Sequence, residues 1–262
     1  MQNVIAAFKF ILFAAVTIPT VILQSILLLF HKGKGAYILP WIWQNAVRVI
    51  FRIKLKIIGT PHTNSQTIYV GNHVSYLDIP VIGSVLRASF VAKKDVASWP
   101  VFGFLSTLQQ TAFISRDRAD AKREKNALDA MLDQGRSLII FAEGTSTDNR
   151  EVLPFKSSLF SIALKENLKG IMVQPITLSM EAVDNREIVT QDDRDLYSWH
   201  INMDTPLADH LWQFAKSSGA EISLNFHPAI RAHDYSDRKT LAKACHNTVS
   251  NGLIKNETNK GK

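Results

Sequence analysis

Thr67-Ile68-Tyr69-Val70-Gly71 runs directly into Asn72-His73-Val74-Ser75-Tyr76-Leu77-Asp78. The first five residues read as a strand, and the next seven as a strand-to-helix junction. In an α/β sheet the carboxyl end of a strand opens onto the ligand crevice. The junction therefore sets a histidine and an aspartate, five residues apart, where sites form. A neutral imidazole there takes a proton from an attacking hydroxyl, and a carboxylate on its other ring nitrogen fixes the tautomer and stabilises the imidazolium. The nucleophile in this arrangement is the substrate's own alcohol. A capping Asp beside a surface His gives the same string, so the pair alone leaves both readings open.

Outward from that junction, β-rich runs alternate with helical ones from Gly59 onward, the pattern of an α/β layer fold. The other expected strands are Ser89 to Ala92, Thr111 to Ile114, Ser137 to Phe141, Ile171 to Leu178 and Glu221 to Phe226. Helices are expected over Ala119 to Gln134, Ser157 to Glu166 and Arg238 to Leu253. The first has apolar residues at helical spacing, Asp117 as a cap and Gly135 at its stop. With no internal repeat or long linker, residues 59–254 form one mixed α/β domain, followed by a polar, frayed tail over 255–262.

Residues 1–58 are of a different kind. From Phe10 to Phe30 there are twenty-one residues without a charge, interrupted only by Pro19. That length suffices to cross a bilayer core, and no cleavage pattern follows it, which favours a retained membrane segment over a secretory signal. Pro19 leaves open either one helix or a helical hairpin that enters and leaves one leaflet. Tyr37 to Phe51, with Trp41, Trp43, Arg48 and Arg52, reads either as a helix in the headgroup layer or as a core helix with a wet face.

The chain has 262 residues and a formal charge of +7. No Asp or Glu precedes Asp78, whereas seven Lys and Arg do, and beyond that point acidic and basic residues balance. Positive charge confined to the membrane-like segment points to an anionic lipid surface rather than to nucleic acid, and to the cytoplasmic side. A single Cys excludes an internal disulfide and a Cys-based zinc site. The scattered His residues offer no metal-ligand set. Nucleophile elbow, Walker A, zincin and dinucleotide fingerprints are absent from the sequence.

Three further strings follow His73 and Asp78: Thr111-Ala112-Phe113-Ile114-Ser115-Arg116, Phe141-Ala142-Glu143-Gly144-Thr145-Ser146-Thr147 and Val173-Gln174-Pro175-Ile176. In this order and spacing the chain resembles the PlsC-type glycerolipid acyltransferase family, the lysophosphatidic acid acyltransferases. The resemblance implies His73 as base, Asp78 as its orienter and Arg116 as a ligand of the acceptor head group. It makes Glu143, Gly144 and Thr145 parts of the acceptor site and Pro175 a shaping residue. Lys94, in the run with Trp99, Pro100 and Gly103 between the first and second blocks, is implied as a cation for phosphate or the acyl carrier. Each has a plainer alternative: a solvated turn for Arg116, a loop cap for Glu143, a strand-edge residue for Pro175. Lys156 is a further cation, read more readily as solvated.

The third block departs from the family's usual E-G-T-R-S, since Ser146 stands where an Arg is common. The E-G-T-S-T form resembles a bacterial subgroup that includes lyso-ornithine lipid acyltransferases. The activity so implied is transfer of a fatty acyl group from acyl-CoA or acyl carrier protein to a lysolipid hydroxyl, without a cofactor. Its first-choice acceptor is 1-acylglycerol-3-phosphate and its alternative lyso-ornithine lipid, at a bacterial inner membrane. Oxyanion donors are expected from backbone N–H groups around residues 73 to 78. The rival classes are a non-catalytic membrane-binding protein and a lipid hydrolase, the latter disfavoured for want of a serine elbow.

Overall fold

In the computed structural model, residues 1–114 and 128–260 are described, with side chains through residue 253. The strands are β1 (Ile53–Gly59), β2 (Thr67–Gly71), β3 (Ser89–Lys93), β4 (Ala112–Ile114), β5 (Leu138–Phe141), β6 (Met172–Val183), β7 (Arg186–Glu187), β8 (Ala220–Phe226) and β9 (Ile230–Arg231). They form one sheet in the order β1-β8-β6-β2-β5-β3-β4, with β7 and β9 also pairing with β6. From β6 through β2, β5 and β3 to β4 every pairing is parallel, as is that of β1 with β8, whereas β6 runs antiparallel to β7, β8 and β9.

Successive residues of a strand face opposite sides, and the core divides accordingly. Tyr69, Phe90 and Ile139 lie in one apolar cluster with Phe51 and Phe214, while Ile68, Val70, Leu138 and Ile140 lie in a second with Leu241 and Val249. A largely parallel sheet needs cover on both faces. The first face is covered by helices α1 (Gln2–Phe30), α2 (Ile38–Ile50) and α3 (Asp78–Gly83) and by the helix Leu207–Lys216, and the second by the helix Arg238–Lys260. All five residues of β2 are buried, which is why its composition signals a strand so clearly.

Several sequence expectations are corrected. The sheet begins at Ile53, ahead of the expected border at 59, because β1 pairs with β8 over its whole length. Its Lys54 and Lys56 had read as part of the basic membrane segment. The expected tail does not start at 255, since the last helix continues to Lys260. The helix expected over Ser157 to Glu166 is a 3-10 helix that ends at Leu164. Of the expected helix from Ala119 to Gln134, residues 128–133 are helical and the part before 128 lies outside the described residues.

Pro19 does not split the first segment. Helix α1 is continuous for 29 residues and is apolar enough to cross a membrane, with a mean hydropathy of 2.3 over its best window. Three of its polar side chains, Lys9, Thr17 and Gln24, are buried and hold it to the domain. Lys9 Nζ donates to the Ser217 carbonyl at 2.9 Å, Thr17 Oγ1 accepts from Trp43 Nε1 at 2.9 Å, and Gln24 Nε2 donates to the Ala36 and Leu108 carbonyls at 2.9 Å each. Phe8, Ile11, Ile18, Ile22, Ile26 and Leu29 face outward and exposed. The tryptophans of α2 are bound to protein as well: Trp41 Nε1 donates to the Ser84 carbonyl at 2.7 Å, under Arg87, whose guanidinium lies 4.6 Å from the ring.

Candidate active site

Register builds the site. Gly71 of β2 lies opposite Phe141 of β5, and the Ala142 N–H closes on the Gly71 carbonyl at 3.1 Å. Each loop then advances two residues, which brings His73 and Glu143 side by side. Glu143 Oε1 accepts the His73 N–H at 2.8 Å, Glu143 Oε2 accepts the Leu153 N–H at 2.7 Å, and the Thr147 N–H returns to the His73 carbonyl at 2.9 Å. The same register lays the His73 ring on Phe141, with centroids 3.9 Å apart and planes 14° apart.

His73 Nδ1 and Asp78 Oδ2 are 2.7 Å apart. The His73 side chain is 22% exposed and that of Asp78 is fully buried. Asp78 opens α3, and its Oδ2 also accepts the Val74 and Ser75 N–H groups, at 2.7 and 3.0 Å. The carboxylate is fixed before any substrate arrives, and the imidazole keeps its other nitrogen for a proton. The aspartate thus caps its own loop and is also the histidine's hydrogen-bond partner.

Five of the six amides expected to meet an oxyanion are committed within the chain. His73 N–H goes to Glu143, Val74 and Ser75 N–H to Asp78, Leu77 N–H to Ser75 Oγ at 3.4 Å and Asp78 N–H to the Ser75 carbonyl at 3.0 Å. An aspartate that folds back on its own loop consumes the donors that an open helix start would have offered.

Glu143 is buried, and desolvation raises its carboxyl to about 8 despite the backbone bonds from Leu153 and His73, which act the other way. With both oxygens bonded to backbone, it supports the two loops. Gly144 turns at φ +67°, and a Cβ there would collide with Lys156 Nζ, so the glycine lets the Lys156 ammonium lie over the loop beside Thr145. Lys94 follows β3 at the same carboxyl edge, where Lys93 lies opposite Ile114. Arg116 lies outside the described residues. Pro175 is buried opposite Val70 inside the sheet, between the pairing of Val173 with β9 and that of Ile176 with β8, and its carbonyl accepts the His227 N–H at 3.1 Å. A residue without an N–H suits that change of partner strand.

Sequence reasoning missed Tyr197, whose O–H donates to Asp78 Oδ1 at 3.1 Å, and Trp199, whose carbonyl accepts Ser146 Oγ at 2.7 Å. Neither belongs to a motif, and Tyr-Ser-Trp after an acidic stretch carries no local signal. Asn72 and Asn149 were missed too. Asn72 bonds Leu178 through both amide atoms, at 2.8 Å each, and Asn149 bonds the Leu178 carbonyl and the Met180 N–H at 3.0 and 2.9 Å, tying both site loops to β6.

Comparison with known proteins sets the class as that of the acyltransferases: the family model described as "Acyltransferase" matches residues 52–179. A lyso-ornithine lipid O-acyltransferase of Rhodobacter capsulatus is 33% identical over 85% of this chain and 78% of its own length. One from Brucella abortus is 30% identical over 92% and 91%. A 1-acyl-sn-glycerol-3-phosphate acyltransferase of Neisseria gonorrhoeae is 29% identical over 70% and 69%. The crystal structure of the 1-acyl-sn-glycerophosphate acyltransferase PlsC from Thermotoga maritima covers 97% of both chains with a TM-score of 0.66 at 19% identity, which establishes the fold. This chain belongs to the PlsC-type glycerolipid acyltransferase family.

Proposed function

We propose that this enzyme moves a fatty acyl group from acyl-CoA or acyl carrier protein to the free hydroxyl of a lysolipid at a bacterial inner membrane, from the cytoplasmic side. The observation that carries the reading is the 2.7 Å approach of His73 Nδ1 to the buried Asp78 carboxylate. His73 takes the proton of the acceptor hydroxyl through its second ring nitrogen as the oxygen attacks the thioester carbonyl. The C–S bond then breaks, and the leaving thiolate takes the proton from the imidazolium. Asp78 holds the tautomer and offsets the positive charge. Arg116, Lys94 and Lys156 are the cations assigned to the acceptor head and the donor's phosphates.

Two acceptors are in play. Lyso-ornithine lipid is favoured by the relatives from Rhodobacter and Brucella and by Ser146, which removes a permanent charge from the third block and spends its hydroxyl on Trp199. The acceptor 1-acylglycerol-3-phosphate is favoured by the Neisseria relative and by the phosphate-binding chemistry of the remaining cations. The outward apolar face of α1 supports docking to the membrane. The test supplies labelled acyl-CoA and acyl carrier protein with both acceptors and identifies the product by mass, beside a His73→Ala chain. General-base catalysis is worth about 10²- to 10⁴-fold, so a His73→Ala enzyme that turns over at the wild-type rate ends the reading.

A further inference from the structure

A segment C-terminal to the family match bonds to both loops of the site. Thr190 and Asp193 close a capping box on the short helix Gln191–Asp195, and the Tyr197 and Ser198 N–H groups both return to the Arg194 carbonyl, at 3.1 and 2.8 Å. That turn directs three bonds at the catalytic loops. Tyr197 O–H reaches Asp78 Oδ1 at 3.1 Å, the Trp199 N–H reaches the Val74 carbonyl at 3.0 Å, and the Trp199 carbonyl receives Ser146 Oγ at 2.7 Å. Tyr197 is fully buried, with its ring edge-on to Phe214 at 5.8 Å and 80°.

The two oxygens of Asp78 are loaded unequally. Oδ2 accepts from His73 Nδ1, Val74 N–H and Ser75 N–H, whereas Oδ1 accepts from Tyr197. A buried carboxylate whose second oxygen has no donor is costly, and turning about its Cβ–Cγ bond to spread the donors carries Oδ2 off the imidazole. We propose that Tyr197 is a positioning residue of this acyltransferase: its O–H, given to Asp78 Oδ1, holds the carboxylate so that Oδ2 faces His73 Nδ1. The inference rests on His73 as the base.

Burial, reinforced by the Asp78 charge, pushes the Tyr197 phenol well above its ordinary range, so it remains a donor throughout the working pH. Four other titratable groups, Glu143, Tyr76, His210 and Lys156, lie on the surrounding elements. Glu143 accepts the His73 N–H, Tyr76 bonds His210 Nδ1 at 2.8 Å, and Lys156 lies over Gly144. All four are unchanged by a Tyr-to-Phe substitution, which also preserves the ring packing.

The experiment compares the full-length wild type with Tyr197→Phe, Tyr197→Leu and His73→Ala in lipid vesicles, reading kcat and acceptor KM against pH. Tyr197→Phe is expected to lower kcat about tenfold with KM within about twofold. The acid limb of kcat moves toward lower pH by roughly half a unit, since a carboxylate turned off the imidazole stabilises the imidazolium less. A Tyr197→Phe enzyme with wild-type kcat and limb, beside an impaired Tyr197→Leu and an inactive His73→Ala, shows a packing role and overturns the proposal. A fall in kcat with an unmoved limb overturns it as well. An active His73→Ala instead overturns the base assignment on which the proposal stands.

Discussion

His73 lies flat on Phe141 at 3.9 Å, while its Nδ1 edge is held by Asp78. An aromatic face beneath an imidazole matters most when the ring gains a proton, because the face of the π system is negative. In the proposed mechanism the stack therefore favours the imidazolium that His73 becomes on taking the acceptor's proton. Phe141→Leu keeps the apolar volume and loses the face, at about 1 kcal/mol, so kcat should fall about fivefold with acceptor KM unchanged. Steady-state kinetics with a saturating acyl donor check this, and an unchanged kcat removes the stack from the mechanism.

Glu143 separates two roles that the sequence could not. As a ligand of the acceptor it would act on KM; as the clamp between the His73 and Leu153 amides it acts on kcat. Glu143→Gln has one acceptor oxygen for two N–H donors and turns an NH₂ toward the second. The expected outcome is a loss of about tenfold or more in kcat, with KM within about twofold and a stability loss of about 1–3 kcal/mol. A selective rise in acceptor KM would return Glu143 to the substrate.

The same carboxyl gives the fold a pH dependence of known sign. Its ordinary value is 4.5 and burial raises it to about 8. Between those values the folded chain holds a proton that the unfolded chain has released. Stability from this group is therefore fully present below 4.5, falls as pH rises toward 8, and stays low above it. Thermal unfolding across that window should show a decline for the wild type and a flatter curve for Glu143→Gln. Parallel curves would mean that Glu143 is ionised in the fold at neutral pH.

How far the sequence reached follows from the range of each interaction. Strand β2, the His73–Asp78 pair and the block order were legible because each is local: a β-branched run, a five-residue spacing and apolar strings ending in polar residues. Strand β1 was not, since it borders the sheet and Lys54, Lys56 and Ile57 are all exposed, so its burial does not alternate. Tyr197 meets Asp78 across 119 residues, and no local pattern encodes that bond. The chain also folds the Asp78 carboxylate back on the Val74 and Ser75 amides, a closure that the string does not announce.

Helix α1 separates its functions by face, and that separation can be tested without touching the site. Lys9, Thr17 and Gln24 bind the domain, while Ile18 and Ile22 point away, 60% and 54% exposed. Apolar surface of this kind gains about 25 cal/mol for each Å² it removes from water. A glutamate in its place forfeits that gain and adds repulsion from anionic lipid. Ile18→Glu with Ile22→Glu should abolish flotation with anionic vesicles and cut turnover of vesicle-borne lysolipid at least tenfold. The melting temperature and turnover of a lysolipid presented in detergent micelles should stay near wild type, because none of the bonds to Ser217, Trp43, Ala36 or Leu108 is disturbed. If the double variant floats as the wild type does, the outward face of α1 is not the surface that meets the bilayer.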